Sequence, residues 1–461
     1  MPPVKRHCLL RIGLATLGVA AVLMLCVGCG KESASRLSAS PENAASADRE
    51  TPAQDAPASS AAPLKPSDLP RRPVARSYSQ PWSCFRGPQQ GVSPWTNVPV
   101  AWDGSNGQNV VWKTPLEASC VNSPVLWENH VYLTEADENG RRVRAFDAAS
   151  GKEVWRRTVA DGGKDAPLPP VADSALAMPT PACDAGGVYV LFGTGDFAAF
   201  THDGRPRWQI FLKRPEIGYG FASSPCVGEG LICVQFDELD GGRVLAVESA
   251  TGKLKWEQPR SRGPSWASPL LVSGPDGKPL LVVNANGSAT AYDLAGKMIW
   301  DVDGVNGQVT PSPAWSDNRV YLANNGSKLL CYDVAGQPKL LWQQAGRLPD
   351  VASPVVVHGL FFMVASGGQL MCVDATTGRE VWTHKSPRCY ASLVAGGDRV
   401  YALGRDGTMQ IVAAERTYRV IGTCSLGEGA DATPALGDGR IYIRGRKNLW
   451  CLGVKEEPAS R

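Results

Sequence analysis

A motif built on Asp, Gly and Trp recurs along almost the whole chain, and it limits the fold more than any other feature. It reads Ala145-Phe-Asp-Ala-Ala-Ser-Gly-Lys-Glu-Val-Trp155, then Ala246-Val-Glu-Ser-Ala-Thr-Gly-Lys-Leu-Lys-Trp256, then Cys372-Val-Asp-Ala-Thr-Thr-Gly-Arg-Glu-Val-Trp382. Shorter versions end at Trp208, Trp300 and Trp342, an isolated Val-Val-Trp ends at Trp112, and a degenerate copy ends at Ile421. A period of this size marks a structural unit repeated in space, because a unit this short cannot bury its own apolar face and must stack on its neighbours.

A second marker runs in phase. Ser or Thr precedes Pro124, Pro181, Pro225, Pro269, Pro313, Pro354 and Pro434, with Ser392-Leu393 as the variant copy. Each is followed by a short apolar run, a turn and a second strand such as Arg-Val-Tyr-Leu (319–322) or Arg-Ile-Tyr-Ile (440–443). A third strand enters the Asp…Gly turn and a fourth carries the Trp. Four short strands per repeat is one propeller blade, so the expected fold is an all-β, eight-bladed β-propeller with four-stranded blades. The last repeat, Thr433 to Leu452, stops after its third strand, while Asn109-Val-Val-Trp112 is a fourth strand with no blade before it. Pairing the two closes the ring and removes its sheet edges. The motif residues are expected to be structural. Asp accepts from turn amides, Gly supplies positive φ, and Trp112, Trp155, Trp208, Trp256, Trp300, Trp342 and Trp382 dock between blades. Ile421 breaks the pattern, so the seam after the seventh repeat is expected to be looser or specialised.

The ends read differently. Lys5, Arg6 and Arg11 precede an apolar stretch from Gly13 to Val27 that ends in Cys26-Val27-Gly28-Cys29. That order is expected of a signal peptide, and a small residue before Cys resembles a bacterial lipobox, with Cys29 as the lipidated residue; the alternatives are an ordinary signal peptide cut near Gly28 or Cys29, or an uncleaved anchor. No Asp follows Cys29, and in lipoproteins of Gram-negative type that implies the outer membrane, periplasmic side. The expected layout is 1–29 signal peptide, 30–80 Ser/Ala/Pro-rich tether, 81–107 N-terminal strap, 108–453 propeller and 454–461 tail. The membrane is reached through the lipid alone. Lys+Arg 47 against Asp+Glu 44 gives a net charge of +3, too balanced for nucleic-acid binding. Of the 13 cysteines, Cys331, Cys372 and Cys451 recur at one repeat position, as small buried apolar residues would.

The Ala-x-Asp-x-x-Thr-Gly-Lys-x-x-Trp pattern is similar to the tryptophan-docking motif of PQQ-like propeller repeats, and the chain resembles BamB-like lipoproteins. That resemblance implies a monomeric scaffold that binds another envelope protein in outer-membrane β-barrel assembly. The segment Trp82-Ser-Cys-Phe-Arg-Gly-Pro-Gln-Gln-Gly91 resembles the opening of secreted PQQ-like propellers of planctomycete-type bacteria. It is expected to be a strap packed on the propeller rim. The enzymatic branch of the fold binds pyrroloquinoline quinone and Ca²⁺, which implies an Asp base, oxygen ligands and often a pair of adjacent cysteines. No Cys-Cys pair occurs here. The favoured expectation is therefore no catalytic residue, no metal and no cofactor. A PQQ- and Ca²⁺-dependent dehydrogenase is the alternative, and a carbohydrate or small-ligand module is a third reading.

Loops leading into the first strands lie on one face of a propeller. Here they carry Asn122, Tyr219, Trp266, Asp350, Tyr390 and Asp431, the candidate partner- or ligand-binding residues at the channel mouth. The longest such loop, Thr158 to Ala177, is a candidate lid or edge contact.

Overall fold

The computed structural model describes residues 82–162 and 176–454. Cys29, the tether, the tail and most of the Thr158–Ala177 loop lie outside the described residues. Contacts divide the chain into 1–65 and 66–461, and every described residue belongs to the second unit.

Among the described residues there is no helix. Eight antiparallel sheets, each of four blade strands, make the eight blades of a propeller. In chain order the blades span 125–161, 182–211, 226–259, 270–303, 314–344, 355–385 and 394–425, and the eighth begins at 435. Each alternates apolar residues toward its neighbours in the inner three strands, and the fourth strand is the exposed one. In blade 4, for example, Pro279–Ala285 is almost wholly buried, whereas every second residue of Met298–Asp303 meets solvent. The eighth blade takes its fourth strand from the other end of the chain. Val110–Pro115 pairs antiparallel with Asn448–Leu452, with Trp112 opposite Cys451. The closure expected from the incomplete last repeat is thus the one observed.

Two interblade devices sit at opposite ends of the strands. On the face of the Asp…Gly turns, the Trp indoles reach across each seam. Trp112 donates to Ala148 O at 3.0 Å, Trp155 to His202 O at 2.7 Å, Trp208 to Ser249 O at 2.9 Å and Trp256 to Leu294 O at 2.9 Å. Trp342 and Trp382 donate to Ala375 O and Glu415 O. At each of these seams except that of Trp382, a glycine of the receiving turn lies under the ring. At Gly151, φ is +70° and a Cβ would stand 2.5 Å from the Trp112 ring, so both conformation and contact demand glycine.

Trp300 departs from the rule. Its indole N–H is buried without an acceptor, and Gly336 in the next turn has nothing within 4 Å of where a Cβ would stand. That turn, from Tyr332 to Leu340, is two residues longer than its counterpart from Tyr292 to Met298, which moves the glycine away from the ring.

The other device is a closed ring. Ser123 N donates to Thr180 Oγ1, Thr180 N to Ser224 Oγ, Ser224 N to Ser268 Oγ, and Ser268 N to Ser312 Oγ. Ser312 N continues to Ser353 Oγ, Ser353 N to Ser392 Oγ, Ser392 N to Thr433 Oγ1, and Thr433 N returns to Ser123 Oγ. Every residue of the ring is buried. The Ser/Thr before Pro is therefore a seam residue, with each hydroxyl satisfying the amide of the preceding blade. Ser268→Ala leaves the Ser224 amide buried and unpaired, and should lower the unfolding free energy by about 2 kcal/mol in urea titrations.

The seam after Ile421 is specialised by the N-terminal segment. Val98 and Trp102 are buried in the same apolar cluster as Cys424, Leu426 and Ala435, with Ile421 packed against it. Asp103 bridges Ser425 in parallel, and Gly104 N donates to Ser425 O at 2.8 Å. Asn97 spans to blade 8, accepting from Gly439 N and donating to Asp438. Residues ahead of the propeller thus fill the space left by the missing Trp.

At the seam between blades 6 and 7 a salt bridge from Arg416 to Asp374 replaces the glycine contact, and Tyr418 packs edge-on to Trp382 at 5.0 Å. Arg416, with the Thr377 amide and hydroxyl, lowers the Asp374 pKa from 3.8 to about 2. A depressed carboxyl pKa stabilises the fold above the unfolded value, and that contribution is lost as pH falls from 3.8 toward 2. Asp374→Asn should therefore lose less stability across that window than the parent chain, read as urea midpoints against pH.

Candidate functional site

The axial channel is where the eight inner strands converge, and the N-terminal strap occupies it. This corrects the expected rim position. Leu126 N, on the inner strand of blade 1, donates to Trp82 O at 2.9 Å, and Cys183 N, on that of blade 2, donates to Ser83 O at 2.8 Å. Ala395 N, on blade 7, donates to Gly91 O at 2.7 Å, and Val92–Ser93 then runs parallel to Val394–Gly396. Across the channel, Arg86 donates to Pro313 O at 3.0 Å and to Pro354 O, which belong to blades 5 and 6, and to Gln90 O at 2.8 Å. The physical reason is the inner strand itself. Its channel-side amides and carbonyls are a ring of unpaired backbone groups, and the strap supplies their partners.

Arg86 has no exposed surface. Burial lowers its pKa to about 9, still above neutrality, so it remains a cation held by backbone carbonyls. Gly87 follows with φ at +65° and its Cα against the Trp82 ring, which gives the Arg-Gly-Pro run its tight reversal.

The expected site residues fall into two groups. Asn122 and Trp266 are not available to a partner. Asn122 is fully buried, donating to Thr134 O and Ala177 O and accepting from Arg444, because it fills the junction of blades 8, 1 and 2. Trp266 is 8% exposed, and its indole donates to Gly220 O at 2.8 Å, locking the linker before blade 3. The other four reach the surface. Tyr219 is 50% exposed at a φ of +63°, with its ring edge-on to Trp266 at 5.9 Å. Tyr390 lies under the Arg405 guanidinium at 3.7 Å, and Asp431 joins that group by ion pairs to Arg405 at 2.7 Å and Arg446 at 3.1 Å. Asp350 is exposed. These residues do not converge on one pocket.

In the loop from Thr158 to Ala177, the first residues extend the fourth strand of blade 1, Glu153–Asp161. Residues 163–175 lie outside the described residues.

Two residues that sequence reasoning passed over add exposed apolar surface to the face that carries Tyr219. Phe211 is 66% exposed at the end of the fourth strand of blade 2, and Leu239 is 60% exposed in the strand 2–3 turn of blade 3. The linker 212–222 and that turn are stitched together. Leu239 N donates to Glu216 O at 2.9 Å, Glu216 N to Glu238 at 3.1 Å, Lys213 pairs with Glu238 at 3.1 Å, and Arg243 donates to Leu212 O at 2.7 Å. All of this lies on the face of the Ser/Thr ring. A strand ending in an outward Phe was the only sequence signal, and it is indistinguishable from ordinary surface scatter.

A quinone with its Ca²⁺ needs a slot and several oxygen ligands. Among the described residues no group of three or more His, Cys, Asp or Glu side chains is placed to hold a metal, and no carboxylate lines the space beside the strap. The described residues do not fit that pair of groups.

The family model described as outer membrane protein assembly factor BamB matches residues 96–234, 139–384 and 285–456, overlapping stretches that together cover most of the chain. The chain belongs to this family. It is 25% identical over 339 residues to the outer membrane protein assembly factor BamB of Escherichia coli, covering 62% of this chain and 82% of that one. The Yersinia pestis protein of the same name is 25% identical over 294 residues, covering 61% and 68%. Among solved structures, BamB from Moraxella catarrhalis superposes with a TM-score of 0.57 at 13% identity, over 76% of this chain and 99% of that one. The quinohemoprotein alcohol dehydrogenase of Comamonas testosteroni does so at 0.62 and 14% identity, over 83% and 82%. At such identities these likenesses speak to the propeller fold alone.

Proposed function

We propose that this chain is a non-catalytic scaffold of the cell envelope. In this reading it is lipid-anchored at Cys29 on the periplasmic side of the outer membrane and presents its Ser/Thr-ring face to a protein partner in outer-membrane protein assembly. The observation that carries the reading is that Phe211, Tyr219 and Leu239 are all exposed on this face, the last two on a linker and a turn joined by the Lys213–Glu238 ion pair and a backbone hydrogen bond. Rigid aromatic and aliphatic side chains on a fixed frame bind at little entropic cost, which is how interface hot spots are built. The family supports the process, and the lack of a carboxylate in the lining of the space beside the strap argues against a quinone and Ca²⁺ reaction there.

Photo-crosslinking in intact envelopes tests this reading. A photoreactive residue at Tyr219 or Leu239 should crosslink to a component of outer-membrane protein assembly, while one at Leu254, exposed on an outer strand, should not. Phe211→Ser with Leu239→Ser should lower the yield of that product and the outer-membrane content of β-barrel proteins. Equal crosslinking from Leu254, or a stoichiometric quinone absorbance in the purified chain, would overturn it.

A further inference from the structure

Among the described residues the strap fills only part of the channel, and inward backbone donors line the space beside it. In blades 1, 2 and 7 the third residue after the ring Ser/Thr sends its amide into the channel, where a strap carbonyl accepts it: Leu126 to Trp82, Cys183 to Ser83, Ala395 to Gly91. The equivalent residues of blades 4, 5 and 6 are Leu271, Trp315 and Val356, in the same ladder register. Their amides therefore also point into the channel, and no backbone acceptor meets them among the described residues. These three residues line a cavity of about 370 Å³ at the mouth opposite the Ser/Thr ring, whose other wall is the strap itself, including Gln89 and Gln90.

The lining has a definite chemistry. No charged side chain faces the cavity. Trp315 is the only aromatic at its position, which is Leu126, Cys183, Val227, Leu271, Val356, Ala395 or Leu436 in the other blades. No described residue pairs with its indole N–H or with the Gln89 and Gln90 amides. Gln90 is held at a φ of +48°, and its carbonyl is tied to Arg86.

We propose that this half of the channel binds an extended, uncharged peptide segment of a partner chain. Its carbonyl oxygens accept from the inward amides of Leu271, Trp315 and Val356, as consecutive strap carbonyls do for blades 1 and 2, and an apolar side chain packs on Trp315. This is strand addition at an inner sheet edge, in which backbone pairing gives affinity and the aromatic wall gives preference. The site lies on the face opposite Phe211 and Tyr219, and it does not rest on the reading given above.

The test uses the mature full-length chain and a library of random uncharged heptapeptides with blocked ends. Selected peptides should slow hydrogen exchange at the amides of Leu271, Trp315 and Val356. Trp315→Ala should weaken them about tenfold or more. Leu271→Pro removes one inward donor and no ladder bond, and should weaken them about fivefold. Tyr219→Ala, on the other face, should leave affinity unchanged, and the circular dichroism of each variant reports whether it has folded. The proposal fails if no peptide protects these amides at millimolar concentration. It fails equally if folded Trp315→Ala and Leu271→Pro chains bind as the parent does, or if maltose or cellobiose protects the amides where peptides do not.

Discussion

Replacing Arg86 with Met should lower the unfolding free energy by about 3 kcal/mol, since hydrogen bonds to a charged group are worth about 1.5–3 kcal/mol each and their buried acceptors would be left unmade. Arg86 is fully buried and donates to carbonyls of blades 5 and 6 and of the strap. Met keeps the length and apolar stem of the side chain, so the loss isolates the guanidinium. The measurement is a urea titration followed by tryptophan fluorescence. A second readout separates the strap from the ring. Without Arg86, hydrogen exchange at Leu126, Cys183 and Ala395 should quicken, because their acceptors are strap carbonyls. The Ser/Thr-ring amides should keep their protection. Arg86→Lys should recover only part of the loss, because one ammonium cannot reproduce the planar fork that reaches two blades.

Arg444→Met should cost about 3–5 kcal/mol, the range for breaking one partner out of a buried charged network. Arg444 has its side chain wholly buried and donates to Asn122 Oδ1 and Thr134 O at 2.8 Å, and to Ala118 O at 3.1 Å. It stands 3.9 Å from Glu135, itself fully buried and paired with Arg144 at 3.1 Å. Removing Arg444 leaves the Asn122 oxygen only the Thr134 amide at 3.2 Å, and leaves the buried Glu135 carboxylate Arg144 as its remaining cation. The site is also the seam where the chain's two ends meet, between blade 8 and blade 1. Exchange in Val110–Pro115 should therefore rise more than in blades 3 to 5, which share no contact with it. Uniform loss of protection around the ring would show that the seam has no special part in closure.

These two arginines also show why the site was only partly legible beforehand. Both lie in segments the sequence singled out, the strap motif from Trp82 to Gly91 and the second strand Arg440–Arg444 of the last repeat. A charged residue there reads as a surface residue, because burial of a guanidinium depends on carbonyls hundreds of positions away, such as Pro313 for Arg86 and Thr134 for Arg444. Asn122 and Trp266 fail as candidates for the same reason. Their positions near the channel mouth were inferred from the repeat, but the neighbouring blades that cover them are set by closure. Phe211, Leu239 and Trp315 carry no local signal that separates them from other apolar residues. Trp315 stands out only when the eight inner strands are superposed.

Blade number, blade order, docking tryptophans and the pairing of Val110–Pro115 with the last repeat are properties of the sequence alone. They follow from periodicity, and the turn and strand chemistry of one repeat is local and recurs. The tertiary structure decided the rest. The Ser/Thr marks close into one hydrogen-bonded ring, because only a closed circle brings Thr433 beside Ser123. The strap enters the channel rather than lying on the rim, because inward amides and carbonyls exist only once eight strands surround an axis. Among the described residues the strap carbonyls meet the inward amides of blades 1, 2 and 7, and those of blades 4, 5 and 6 have no backbone acceptor, a difference visible only once the strap is placed on the closed ring.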